Sequence, residues 1–237
     1  MSPLVKILRV LWFAPYRAAL LRYRVFASTE HDQVLSGLAL DTVIDIGANR
    51  GQFALCIRRL YAQARIFSFE PLQGPSRQFA RNFRHDPRAR LFNVAISTER
   101  GAVAMHVTQW DVSSSLLPIG QAQRDSFPFA HESRQEIVTT APLTDCLGEA
   151  DMQGTVLLKL DVQGYELTAL KGCGVILDRC QYVYVEVSFV ELYIGQALAT
   201  EIVALLFSKG FELRCVANLS RGRSVRPIQA DFLFARA

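Results

Sequence analysis

The stretch VIDIGANRGQFAL, residues 43–55, sets an acid, Asp45, just ahead of two glycines, Gly47 and Gly51. The glycines fall where a buried-strand pattern passes into a helical one, so backbone amides can approach a ligand without side-chain interference. The stretch has neither the Gly-Lys-Ser/Thr of a phosphate loop nor a clean G-x-G-x-x-G. An acid at that point repels a pyrophosphate but can hold a cationic group, directly or through water. Glu70, in FSFEP, follows about twenty residues later, where a carboxylate can accept both hydroxyl hydrogens of a ribose. Pro71 stiffens the turn after it. Asn93, in FNVAIS, ends a third apolar run beside the expected position of a nucleobase. A cationic amino-acid end and a ribose on one ligand describe S-adenosylmethionine.

The elements that must position these residues alternate. TVIDIG, RIFSFE and ARLFNVAIS read as strands, with QFALCIRRLYA and PSRQFARNFRHD as the helices between them. That is a β-α-β-α-β half, which binds ligands at the carboxyl ends of its strands. The rhythm breaks over about residues 98–143, where GAVAMHVTQ and RQEIVTTAPL predict two extra strands around a polar, loop-like segment holding Ser113, Ser114 and Ser115. A long irregular insertion in a compact domain predicts a substrate-facing role. TVLLKLDVQG then predicts a strand and turn, YELTALKGCGVIL a helix, QYVYVEVSF a strand and ALATEIVALLFSKG a helix stopped by Gly210. FELRCVA and IQADFLFARA are joined too closely to be parallel, so the last strand is predicted to be reversed.

Half of the 237 residues are apolar, enough for one large core, and a net charge of +4 is too weak to argue for nucleic acid. Five cysteines without C-x-x-C spacing read as buried thiols in a reducing compartment, the cytoplasm. Residues 1–40 read as a basic amphipathic helical extension broken near Pro15, and 41–237 as the catalytic domain. The extension is expected to pack on the domain or close over its ligand, with weak membrane-surface contact as the other possibility.

DIGANRGQF, FEP, NVAIS, SSSL, LLKLDVQGYELTALKG and YVYVEVSFVELY stand in the order of the FkbM family of S-adenosylmethionine-dependent methyltransferases, which this chain resembles from about Thr42 to Phe234. The resemblance implies a Rossmann-like α/β methyltransferase fold. Its sheet would be mostly parallel and seven-stranded, with a reversed C-terminal hairpin strand and helices on both faces. It implies methyl transfer to a hydroxyl of a saccharide, glycolipid or polyketide-like molecule. Onto this chain it maps a cofactor set of Asp45, Gly47, Ala48, Asn49, Gly51, Gln52, Phe53, Glu70, Pro71, Asn93, Ala95, Ser114, Ser115 and Asp161. Where many members read D-V-E-G, this chain has Gln163.

Transfer to a hydroxyl needs in-line alignment and a base for the proton. Asp161, at a strand end, is the first candidate for positioning or proton abstraction, and Glu186 the second. Lys159 shares a strand face with Asp161 and is expected to pair with a carboxylate. Glu166 reads as a first-turn acid favoured by the helix dipole, and His106 and His131 are alternative bases. Asp161 and Glu186 could also supply oxygen ligands to a divalent metal, but no dense acidic cluster supports one. A nicotinamide-dependent oxidoreductase is the competing enzyme reading, since Glu70 would suit that ribose too, and a non-catalytic binding module on a cofactor fold is the competing class.

Overall fold

A computed structural model describes residues 13–127, 130–222 and 225–237. The strands in chain order are β1 Thr42–Ile46, β2 Arg65–Phe69, β3 Ala89–Phe92, β4 Ala95–Ile96, β5 Gly101–Thr108, β6 Glu132–Ala141, β7 Val156–Leu160, β8 Tyr182–Ser188, β9 Phe211–Arg221 and β10 Pro227–Arg236. The helices are α1 Ala14–Tyr23, α2 Asp32–Leu35, α3 Gln52–Leu60, α4 Gln73–Asn82, α5 Gln121–Ser126, α6 Glu166–Gly172 and α7 Ala199–Ser208. The main sheet has seven strands in the order β3-β2-β1-β7-β8-β10-β9. Its pairs are parallel except the two made by β10, so only the last strand runs in reverse. This is the Rossmann-like α/β arrangement expected from the sequence.

Period-two alternation assigns the faces of the central strand β1, which is buried throughout. Ile44 and Ile46 join the core beneath α6 and α7, while Val43 joins the core formed with α3 and α4. Asp45 points the same way as Val43, into an apolar layer, and has no solvent exposure. The N-terminal segment belongs to that layer as well: Tyr16, Ala19, Val25, Ala27 and Leu35 are buried against α3. Arg59 of α3 fastens it, donating to the Tyr16 hydroxyl at 3.2 Å and pairing with Asp32 at 2.5 Å.

Two local expectations change. ARLFNVAIS is two strands, β3 in the main sheet and β4 in a separate three-stranded sheet of order β4-β6-β5, because the chain breaks at Asn93 and Val94 to carry the insertion away. The polar middle of the insertion contains the short helix α5. Pro15 lies in the first turn of α1, where a proline lacks only an amide that the turn leaves unpaired anyway. The part of the expected basic helix before residue 13 lies outside the described residues. No helix among the described residues is long and apolar enough to cross a membrane.

The turn after β1 presses against the end of β7. Gly47 has φ 83°, and a Cβ there would come within 1.8 Å of the Asp161 carbonyl oxygen. Gly47→Ala is therefore expected to destabilise the protein by about 3 kcal/mol or more. Gly148→Ala, at a negative φ with open space around it, should change stability by less than about 0.5 kcal/mol. Denaturant unfolding compares the two, and equal midpoints would refute the close approach.

Candidate active site

A cavity of about 330 Å³ opens at the carboxyl ends of β1, β2 and β7. The glycine turn supplies Gly47, Ala48 and Asn49 to its wall, and the first residues of α3 supply Gln52 and Phe53. Glu70 and Pro71 follow β2, Ala95 comes from β4, Ser114 from the insertion and Asp161 from the end of β7. Ten residues expected from the sequence thus meet around one space. Asp45, Gly51, Asn93, Ser115 and Glu186 do not reach its wall.

Asp45 lies one layer behind the cavity. It stands opposite Lys159 in the β1–β7 register, and the Lys159 ammonium is 3.1 Å from its Oδ1. The same ammonium donates to the Gly47 carbonyl at 3.1 Å, lies 3.8 Å from Asp161 Oδ2 and sits over the Phe53 ring at 5.3 Å. Burial works against the ammonium, but the Asp45 and Asp161 carboxylates outweigh it and hold its pKa above the ordinary lysine value. Lys159 therefore stays charged inside the protein. The carboxylate that meets the cavity from this centre is Asp161, whose side chain is 41% exposed, whereas that of Asp45 is 0% exposed.

Glu70 is buried yet faces the cavity. Its Oε2 accepts the Asn49 amide at 2.9 Å and its Oε1 accepts the Leu72 amide at 2.8 Å. Burial pushes its carboxyl up to about 7 against these two bonds. Asn93 spends its side-chain amide on the adjoining turn, donating to the Glu70 and Pro71 carbonyls, each at 2.8 Å, so it shapes the Glu70 corner from outside. Gly51 has its own packing reason, since a Cβ there would meet the Phe83 ring at 2.7 Å and the Phe79 ring at 2.9 Å.

The turn after β7 is held from within. Glu166 Oε1 accepts the Val162 amide at 3.0 Å and the Gly164 amide at 3.1 Å, so this acid organises a turn as well as opening a helix. Burial raises it too, to about 7. Gln163, at a left-handed φ of 56°, donates to Asp161 Oδ1 at 2.7 Å and to Glu186 Oε2 at 3.2 Å. Glu186 thus stands behind Gln163, and burial together with Asp161 and Asp231 lifts its carboxyl well above the usual range. Ser115 donates to the Gln163 carbonyl at 2.6 Å, tying the insertion to this turn, and Ser114 accepts the Thr108 amide at 3.1 Å.

Several wall residues left no mark in the sequence reasoning. His31 and Phe26, from the segment between α1 and α2, close one side, and Asp111 of the insertion closes another while pairing with Arg50 at 2.7 Å. Their only sequence signal was the general expectation that the extension and insertion face a ligand. His106 and His131 lie off the wall. Among the described residues no group of three or more His, Cys, Asp or Glu side chains could hold a metal ion.

Comparison with known proteins agrees with this geometry. The family model described as the methyltransferase FkbM domain matches residues 45–213. The 2-O-methyltransferase NoeI of Sinorhizobium fredii is 33% identical over 81% of this chain and 81% of its own. Methyltransferase 1 of Beauveria bassiana is 28% identical over 71% of each. Among solved structures, Streptococcus pneumoniae Sp1610 in complex with S-adenosyl-L-methionine superposes with a TM-score of 0.50 at 10% identity, covering 89% of this chain and 73% of that one.

Two expectations follow from the buried charges. Lys159→Met strands Asp45 in an apolar layer and should cost about 3–5 kcal/mol, while Asp45→Asn with Lys159→Met should recover much of that loss. Additive losses in denaturant unfolding would refute the pairing. Glu166 binds its proton more tightly folded, at about 7, than its ordinary 4.5, so the folded state holds the extra proton between those values. Its contribution is full below about 4.5 and is lost as pH rises through about 7. Glu166→Gln should flatten the fall of stability over that window, and an unchanged slope would contradict the assignment.

Proposed function

The chain belongs to the FkbM methyltransferase family, whose reaction uses S-adenosylmethionine, and we propose that it methylates a hydroxyl oxygen of a saccharide, glycolipid or polyketide-like small molecule. The observation that carries this reading is the match to NoeI, a protein named for 2-O-methylation, across four fifths of both chains. The cavity rim supports it: Phe26 and Val112 line the wall while remaining exposed, an apolar edge against which the C–H face of a sugar ring or a reduced carbon chain can pack. The five free cysteines support a reducing, cytoplasmic setting.

The residues present fit the cofactor. A carboxylate offers about four acceptor positions, and the two backbone amides on Glu70 leave room for a vicinal diol. Asp161 takes the role first expected of Asp45, facing the cationic amino-acid end, and Gly47 keeps the wall free of a side chain. When bound, the cofactor supplies an electrophilic methyl group on a sulfonium. The chain's own work is to seat that group, exclude water and align a hydroxyl.

Glu70→Gln should weaken binding of S-adenosylhomocysteine about 10- to 100-fold, the range for losing charge-assisted hydrogen bonds. In the unaltered protein affinity should rise with pH as Glu70 ionises near its pKa of about 7, and the variant should lose that dependence. Calorimetric titration reads both, and equal affinities would exclude Glu70 from the ribose site. Homocysteine-product release from a panel of methyl glycosides, glycolipids and secondary alcohols tests the acceptor. Turnover with amines alone would overturn O-methylation.

A further inference from the structure

One cluster at the cavity is unused by the roles above. His31, on a single turn of 3₁₀ helix at Thr29–His31, lines the cavity and makes an edge contact with the Phe53 ring at 5.4 Å. Its Nδ1 lies 2.9 Å from the Tyr184 hydroxyl of β8 and 3.4 Å from Asp231 Oδ2 of β10. The Tyr184 hydroxyl donates to that same Asp231 oxygen at 3.0 Å, and the Asn218 side-chain amide of β9 donates to it at 2.7 Å. With a proton on Nδ1 the ring donates to the Tyr184 oxygen and Tyr184 O–H donates to Asp231, while the Asn218 amide, 3.3 Å from Nδ1, is spent on Asp231 instead. The Asp231 carboxylate at the end of this chain favours the neutral imidazole with its proton on Nδ1, which leaves Nε2 as the basic nitrogen. No hydrogen bond among the described residues engages Nε2. Burial works against the Asp231 carboxylate, but the hydrogen bonds from His31, Asn218 and Tyr184 outweigh it and hold its pKa below the ordinary value.

We propose that His31 is the general base of methyl transfer, with Tyr184 and Asp231 as the residues that position it. The proposal rests on the hydroxyl-acceptor reading, because an alcohol must lose its proton in the reaction. The acceptor's O–H bond breaks as its oxygen bonds to the methyl carbon. The carbon–sulfur pair remains on sulfur, which becomes a neutral thioether, and the proton passes to Nε2 and then to water. Asp231 stabilises the imidazolium that forms, the logic of a base oriented by a carboxylate. Three carboxylates of the wall are otherwise engaged: Glu70 by two backbone amides, Asp161 by Gln163 and Lys159, and Asp111 by Arg50.

Three measurements test the proposal. In the unaltered protein a long-range ¹H–¹⁵N spectrum should show neutral His31 protonated on Nδ1, and Asp231→Asn should shift the tautomer balance. An Nε2-protonated ring in the unaltered protein overturns the proposal without any acceptor. With a methyl glycoside that turns over, His31→Ala should lower kcat about 100-fold or more while S-adenosylhomocysteine affinity stays within about threefold. Added imidazole should restore part of the rate. Unchanged kcat, or a loss confined to cofactor affinity, makes His31 a binding residue and overturns the proposal. If the only acceptors found are amines, the acceptor reading fails by itself, while the tautomer and imidazole rescue still decide the base.

Discussion

The contact on which the site depends is the ion pair between Lys159 and Asp45, in register at the centre of the sheet. Two charges in an apolar layer are costly, and their attraction offsets that cost only with good geometry and further hydrogen bonds. Here the third partner is the Gly47 carbonyl, so the ammonium also fixes the turn that lines the cavity wall. That turn is in turn pressed onto the Asp161 backbone. The same ammonium touches Gly47, Asp161 and Phe53, so one charge bears on three parts of the wall. The acid that opened the glycine motif therefore meets the cavity only through a lysine and a backbone turn, one layer removed from its wall.

Burial sorts the remaining acids. Glu70 and Glu166 are both buried and both hold two backbone amides, yet only Glu70 faces the cavity. The same chemistry thus presents a carboxylate to the cavity at one strand end and builds a turn at another. Gln163 joins the two sides of the site, touching Asp161 and Glu186 through its amide nitrogen while its Oε1 lies 2.8 Å from the Tyr193 hydroxyl. A glutamate there would have no proton to donate and would bring a third carboxylate between two others. A neutral amide suits a position between two acids, which gives the departure from D-V-E-G a local physical meaning.

Most of the sheet was legible because its signals are local. The buried run at β1, the glycine turn, KLDVQG and the short connection before β10 each constrain their own backbone. Three features were not, and each depends on a contact distant in sequence. Asn93 looks like a ligand contact until its amide is seen bridging the turn after β2. ARLFNVAIS carries one continuous apolar pattern although its two parts pair in different sheets. His31 has no motif around it, and its partners lie in β8, β9 and β10, 153 to 200 residues away. Periodicity reports which face a residue takes, not which distant side chain it will meet.

The cavity is closed by the least regular parts of the chain. The Phe26–His31 segment comes from one side and Asp111 to Ser114 from the other, while the regular strands supply the floor. Each flap is tethered to a different rigid element. Arg59 of α3 holds the N-terminal segment through Tyr16 and Asp32, and Arg50 of the glycine turn holds the insertion through Asp111. The Arg50 and Asp111 side chains are partly exposed, so their link is the weaker one and is screened by salt, whereas Tyr16 is fully buried. The insertion is held a second time from beneath, by Ser115 on the Gln163 carbonyl and by the Tyr193 hydroxyl on the Ser113 carbonyl. Both flaps are thus fixed to the framework at more than one point, and on the His31 side the hydrogen bonds among His31, Tyr184 and Asp231 are in place before anything enters the cavity.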